Sequence, residues 1–144
     1  MVHRLIYFSS TAPSFQAPDV EDILSVARER NRRAGITGLL VYHDGNFLQI
    51  LEGPRDAVEE CFTRIQNDPR HDGIIRVVSE DVEERVFGDW EMAWMPFQDA
   101  SAEAQQGFLD IQSLRDSDTM QRAQRDFMSH AFVNTFLRSF RATS

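Results

Sequence analysis

Residues 36–53 have the sequence ITGLLVYHDGNFLQILEG, and this stretch decides the fold. Two apolar runs, Ile36–Tyr42 and Phe47–Glu52, stand on either side of a short polar segment that contains Asp44 and Gly45. An Asp-Gly pair between apolar runs is a strong signal for a tight turn between antiparallel strands. The sequence therefore predicts a β-hairpin over this stretch.

Helices and further strands are predicted around the hairpin. Apolar residues at helical spacing predict one helix from Asp19 to Gly35 and a second from Pro54 to the residues before Asp68. Three further apolar stretches are predicted to be strands: about His3–Ser9, Gly73–Ser79 and Trp90–Met95. The resulting order, β-α-β-β-α-β-β, is typical of an α+β protein with a ferredoxin-like, five-stranded sheet and two helices on one face.

Both faces of this sheet are predicted to be covered. The first strand and the first strand of the hairpin are apolar at successive positions, which is typical of strands buried on both sides. Two C-terminal helices, Ser101–Leu114 and Asp118–Phe140, are predicted to cover the other face. We therefore expect a core at residues 1–97 and a C-terminal helical cap, with a role in output, at residues 98–144.

The composition indicates a globular protein of the reducing cytoplasm. The 144 residues are 42% hydrophobic, and no apolar run is long enough to span a bilayer. The single cysteine, Cys61, excludes an internal disulfide, and its helical spacing with Val58 and Ile65 favours a packing role over a reactive thiol. The net charge of −8 argues against general nucleic-acid binding, which needs a positive surface.

Three polar side chains are predicted to point inward on the face that the first two helices cover. They are Tyr7 in the first strand, Gln49 in the hairpin and Asn31 in the last turn of the first helix. A phenol and two amides would suit a planar heterocycle with carbonyl and ring-nitrogen edges. Its apolar walls would come from Ile23, Ala27, Phe47 and Ile65. Each polar residue also has an ordinary explanation, as a hydrogen-bonded core residue or as a local helix cap.

Five segments, taken in order and with their spacing, resemble the BLUF family, the blue-light sensors that use flavin. They are Tyr7-Phe8-Ser9, Asn31 with Gly35-Ile36-Thr37-Gly38, Phe47-Leu48-Gln49-Ile50-Leu51-Glu52-Gly53, Asp68-Pro69-Arg70-His71 and Phe87-Gly88-Asp89-Trp90-Glu91-Met92. The resemblance covers about residues 3–97. It implies a non-catalytic photoreceptor that holds FAD, or alternatively FMN, noncovalently between the first two helices.

The resemblance also implies a role for each residue of the site. Tyr7 would donate an electron and a proton to the photoexcited ring, Gln49 would bridge Tyr7 and the flavin, and Asn31 would hold a carbonyl edge. Ile23 and Ile65 would pack on the ring faces. Further expected site residues are Trp90 and Met92 in the fifth strand and Ser9, which would contact that strand. Ala27 and Phe47 are expected in the walls, and Arg30, Arg64 and His71 toward the ring and phosphates. Surface charge is the ordinary alternative for the last three.

We therefore expect a cytoplasmic, homo-oligomeric photosensor that signals to a separate protein and binds neither membranes nor nucleic acid. Two alternatives are an acylphosphatase-like hydrolase and a regulatory module for another ligand, both on the same fold. The hydrolase would need an arginine in the loop after the first strand, and residues 10–14 contain none.

Overall fold

The computed structural model describes residues 1–11, 19–68, 71–87 and 93–115. Within these ranges the elements are β1 (Val2–Thr11), α1 (Asp19–Ala34), β2 (Thr37–His43), β3 (Asn46–Gly53), α2 (Arg55–Gln66), β4 (His71–Val82), β5 (Ala93–Pro96) and α3 (Ala102–Arg115), with a 3-10 turn at Phe97–Asp99. The predicted α+β fold and the order of its elements are confirmed.

The described strands form a single sheet in the order β4-β1-β3-β2-β5. The first four strands are antiparallel to their neighbours, as in a ferredoxin-like fold, and β5 adds to the edge in parallel with β2. Within the four antiparallel strands, the two central ones are therefore β1 and β3.

A two-residue turn sets the register of the hairpin. Asp44 and Gly45 have φ values of 49° and 79°, the two positive values that a type I′ turn requires. The turn pairs His43 with Asn46 and, further along, Leu40 with Gln49. Because side chains alternate along a strand, this register decides which residues face α1 and α2.

Each face of the sheet has its own apolar core. On the face of α1 and α2, the core is formed by Leu5, Tyr7, Ile36, Leu40, Phe47, Leu51, Val58, Cys61 and Phe62. On the other face, Ile6 and Phe8 pack with Ala104 and Phe108 of α3. The first predicted C-terminal helix thus covers the expected face, whereas the predicted helix Asp118–Phe140 lies outside the described residues.

The outer strand β4 extends beyond the predicted Gly73–Ser79. Glu80 and Asp81 continue it because each pairs with a basic residue of β1, Glu80 with Arg4 and Asp81 with His3. At the other end Gly73, with φ of 54°, lies inside the strand, where the register between β1 and β4 shifts between Phe8 and Ser10. The predicted fifth strand is described only from Ala93 onward.

A buried ion pair joins the central strands on the α3 face. Arg4 and Glu52 are cross-strand partners, and Nε and Nη2 of Arg4 both lie 2.9 Å from Oε2 of Glu52, whose side chain is 0% exposed. The carboxylate also accepts the backbone amides of Val86 and Phe87, at 3.1 and 2.7 Å. One carboxylate therefore ties β1 and β3 to the segment that follows β4.

We expect Glu52→Gln to lower the free energy of unfolding by about 3 kcal/mol, because breaking a buried ion pair costs about that much. The matched control is Glu29→Gln, which removes an exposed ion pair to Arg33 in α1 and should change the free energy of unfolding by about 0.5 kcal/mol or less. Urea denaturation of both variants makes the comparison. Equal losses in the two variants would show that the buried ion pair contributes no more to the free energy of unfolding than the exposed pair does.

Candidate functional site

A hydrogen bond between neighbouring strands lies at the centre of the site. Tyr7 of β1 and Gln49 of β3 are cross-strand partners, so their side chains share the face that α1 and α2 cover. The Tyr7 hydroxyl donates a hydrogen bond to Oε1 of Gln49, and both side chains are buried. Leu40 of β2 is the partner of Gln49 on its other side. The Gln49 amide therefore lies on the middle strand of the sheet, and its oxygen accepts a hydrogen bond from the Tyr7 phenol.

Burial keeps Tyr7 in its neutral form. Removal from water raises the pKa of Tyr7 well above its usual value, and Cys61 and Asp68 act in the same direction. The ring of Phe62 also packs against the phenol, with 5.6 Å between the ring centroids. The hydroxyl thus keeps its proton and donates a hydrogen bond to Gln49.

The end of α1 positions Asn31. Gly35 has a φ of 75°, the Ile36 amide donates to the Asn31 carbonyl at 2.8 Å, and the Gly35 amide donates to the Arg32 carbonyl at 3.3 Å. This pair of bonds is a Schellman motif, which holds the last helical turn. The Asn31 side chain is 2% exposed, and among the described residues its Nδ2 has no hydrogen-bond partner. A buried donor without a partner costs about 1–3 kcal/mol, which favours a ligand atom as its acceptor.

Close backbone contact sets the position of this helix end against the sheet. A Cβ atom on Gly53 of β3 would lie 2.9 Å from the carbonyl oxygen of Gly35, so only glycine fits there. Arg85 donates to the same carbonyl at 2.9 Å and to Thr37 Oγ1 at 2.9 Å. The last turn of α1, which carries Asn31, is therefore held at a fixed distance from β3.

A cleft of about 620 Å³, its open mouth included, lies on this face and is lined by residues of both helices and the sheet. The lining residues are Tyr7, Val26, Ala27, Arg30, Asn31, Leu40, Gln49, Cys61, Arg64, Ile65 and Asp68. Tyr7, Gln49 and Asn31 are buried, whereas Val26 and Arg30 are exposed. The cleft thus combines buried polar groups with apolar walls and a charged, exposed rim.

The structure brings most of the expected site residues together. Tyr7, Ala27, Arg30, Asn31, Gln49, Arg64 and Ile65 all line the cleft. Phe47 does not line the cleft. It is fully buried on the same face, two residues nearer the hairpin turn than Gln49, and its ring centroid lies 5.1 Å from that of Tyr42. Ser9 is fully buried in β1 as the partner of Phe47. The strand period explains both positions, because two residues along a strand move a side chain by about 6.8 Å.

Four other expected residues lie outside what the structure describes. Trp90 and Met92 belong to the undescribed range 88–92. Ile23 and His71 lie in α1 and β4, where their backbone is described and their side chains are not.

Sequence reasoning missed four lining residues: Val26, Leu40, Cys61 and Asp68. Leu40 follows from the two-residue turn, which pairs it with Gln49. Cys61 lies one helical turn before Ile65, so its place on the same helix face was available from spacing. Assigning it to packing alone was incomplete, because the thiol both joins the core and lines the cleft.

The described residues contain neither a metal-binding cluster nor a membrane-spanning helix. They contain no group of three or more His, Cys, Asp or Glu side chains that could hold a metal ion. None of the described helices is long and apolar enough to cross a membrane.

Residues 2–93 match the family model for BLUF, sensors of blue light using FAD. The chain is 31% identical over 119 residues to photoactivated adenylate cyclase subunit beta of Euglena gracilis, covering 76% of this chain and 14% of that protein. It is 33% identical over 88 residues to the blue light- and temperature-regulated antirepressor BluF of Escherichia coli, covering 61% of this chain and 22% of that protein.

Solved structures of similar proteins share the fold over nearly the whole chain. The dark-state structure of BlrB, a BLUF protein, has a TM-score of 0.72 and 29% identity and covers 99% of this chain and 97% of that one. The photo-activated state of BlsA has a TM-score of 0.70 and 30% identity, with 95% of each chain covered. The family match over residues 2–93 places the chain in the class of flavin-based blue-light sensors, and the chain is a member of the BLUF family.

The curated relatives that the chain matches are much longer than the chain itself. The chain spans only 14% of the length of the first curated relatives that it matches, which are cyclase subunits. The family is one of blue-light sensors that bind flavin, so the acylphosphatase-like alternative is not favoured. The residues present fit a flavin, because the buried Nδ2 of Asn31 lacks a partner among the described residues and a flavin ring offers carbonyl acceptors.

We expect the stability of the protein to fall above pH 10 through Tyr7. Its folded pKa is raised, so below about pH 10 both states keep the proton and the full stability is present; above that pH the unfolded chain ionises first. The free energy of unfolding should then fall by about 1.4 kcal/mol per pH unit more steeply than in Tyr7→Phe. Urea denaturation between pH 8 and 11 measures both slopes. Identical slopes would contradict a buried, neutral Tyr7.

Proposed function

We propose that this chain is a blue-light photoreceptor that binds FAD noncovalently in the cleft and signals by rearranging the hydrogen bond between Tyr7 and Gln49. That hydrogen bond, buried inside the cleft, is the observation that carries the proposal. Membership of the BLUF family supports the flavin, and the buried polar groups with apolar walls support its location.

A bound flavin supplies a chromophore for blue light and an electron acceptor in its excited state. With the flavin bound, Tyr7 would be the electron donor, and loss of an electron would make its hydroxyl strongly acidic. The hydrogen bond to Oε1 of Gln49 would take up that proton, because a charged group in this buried place would be costly. Gln49 would compensate by giving up a proton from Nε2, and so would act as the relay between Tyr7 and the cofactor.

Gln49 acts as the switch because an amide carries a donor and an acceptor at nearly equivalent positions. Rotation or tautomerisation inverts the pattern that it offers to the ring without moving heavy atoms far. Once Tyr7 had regained its electron and proton, the altered Gln49 amide would present a donor where it had presented an acceptor. An added hydrogen bond to a flavin carbonyl would stabilise the excited state slightly more than the ground state and give a small red shift.

Basic residues at the rim suit the phosphates of the cofactor. Arg30 and Arg64 both line the cleft, and Arg30 is exposed while Arg64 is partly buried. Guanidinium groups bind phosphate well because they present several donors with a fixed positive charge. We propose that they face the diphosphate of FAD, while Asn31 holds a pyrimidine carbonyl.

The signal is proposed to leave through the edge of the sheet. Gln49 pairs with Leu40, and Leu40 pairs in turn with Trp94 of the edge strand β5. Because β5 is short and leads directly into the C-terminal residues, a rearranged amide can bias the contacts of this edge. A separate signalling protein is the proposed receiver, and a cytoplasmic homo-oligomer is the proposed form; the relatives include cyclases and an antirepressor.

Blue light should cause a reversible red shift of the flavin absorption in the wild type and none in Tyr7→Phe, which removes the electron and proton donor. The matched control is Tyr42→Phe, which changes the only other tyrosine of the chain and leaves the cleft lining intact. Absorption spectra before illumination, after it and after dark recovery make the test. Persistence of the red shift in Tyr7→Phe would contradict the mechanism even with flavin bound.

Asn31→Leu should have opposite effects on flavin binding and on stability. The variant removes the donor for the carbonyl and should raise the FAD Kd by about tenfold or more. It also removes a buried donor that lacks a partner among the described residues, so the flavin-free protein should be at least as stable as the wild type. Fluorescence titration and urea denaturation measure the two quantities. Asn67→Leu, at the exposed end of α2, is the control, and a loss of stability without a change in Kd would contradict the assignment.

A further inference from the structure

The thiol of Cys61 contacts the Asn31 amide inside the cleft. Sγ of Cys61 lies 3.7 Å from Oδ1 of Asn31, within hydrogen-bond distance for a thiol donor. Both side chains are buried, and they come from different helices, Asn31 from α1 and Cys61 from α2. The contact therefore joins the two helices beside the proposed flavin.

This contact decides which end of the amide faces the cleft. The two orientations of an asparagine amide have nearly the same shape, but they exchange an acceptor for a pair of donors. With Oδ1 on the thiol, Nδ2 is the end left for a ligand, and it has no partner among the described residues. With the amide turned over, Oδ1 would meet any ligand carbonyl as one acceptor facing another.

The thiol keeps the proton that it must donate. Burial raises the pKa of Cys61, and the opposing attraction of Arg64 does not cancel that effect. A protonated thiol is a weak but directional donor. A thiolate would instead accept from Nδ2 and turn the amide over.

We propose that Cys61 is a positioning residue, whose thiol orients the Asn31 amide so that Nδ2 is presented to a pyrimidine carbonyl of the flavin. The proposal rests on the proposed function, because it needs a flavin in the cleft. It gives Cys61 a role beyond its packing in the core of this face. Since one weak hydrogen bond is involved, its loss should raise the FAD Kd by about three- to tenfold.

Infrared spectroscopy tests the contact without any light response. The 144-residue chain has one cysteine, so its S–H stretching band reports this hydrogen bond alone. In the flavin-free wild type, the band should lie at a lower frequency than in Asn31→Leu, which lacks the acceptor. An unchanged frequency would overturn the contact and the proposal with it.

Flavin titration of three variants tests the role. Cys61→Val fills the space without a donor and should raise the FAD Kd by about three- to tenfold, while Cys61→Ser keeps a donor and should lie closer to the wild type. In the Asn31→Leu background, Cys61→Val should change the Kd little, because the amide that the thiol orients is absent. A purely structural role for the thiol would give the same loss in both backgrounds.

The outcomes separate the two proposals. If the wild type binds no FAD, the proposed function fails and the role of Cys61 fails with it, whatever the S–H band shows. If the wild type binds FAD and Cys61→Val matches it, or loses affinity equally in both backgrounds, only the positioning role is overturned. Coupled losses at Cys61 and Asn31, together with the shifted S–H band, support it.

Discussion

The register between β1 and β3 is the constraint on which the rest of the structure depends. Both strands are apolar on both faces, so burial of apolar side chains alone discriminates weakly between neighbouring registers. Buried polar pairs discriminate strongly. Arg4 lies opposite Glu52 on one face, and Tyr7 lies opposite Gln49 on the other. A slip by one residue would leave the buried charges unpaired and separate the phenol from the amide, so one register secures both the fold and the site.

The second half of the site depends on how α1 ends. The positive φ of Gly35 closes the helix, and the close approach of Gly53 sets its height above β3. Asn31 is thereby buried with Nδ2 unpartnered among the described residues, a cost to stability that a ligand carbonyl offsets. These backbone contacts would hold Asn31 in place while the Gln49 amide, the proposed switch, changes its arrangement.

Much of this arrangement was predictable because it depends on local patterns. The Asp44-Gly45 turn, the stop at Gly35 and the apolar spacing of α2 follow from backbone preferences and helical periodicity within a few residues. The inward direction of Tyr7 and Gln49 follows from strand alternation. The ends of β4 were not predictable in the same way, because its acidic residues continue the strand only through basic partners in β1.

By itself, the sequence determined the elements, their order and the polar residues that face inward, since periodicity and turn chemistry act over short stretches of chain. Only the tertiary structure decided that Cys61 of α2 meets the amide of Asn31 from α1, and that Phe47 stays out of the cleft. These contacts depend on the distance between elements that are remote in sequence. That distance is set by packing and by the close contact of Gly53 with the end of α1, and no local pattern contains it.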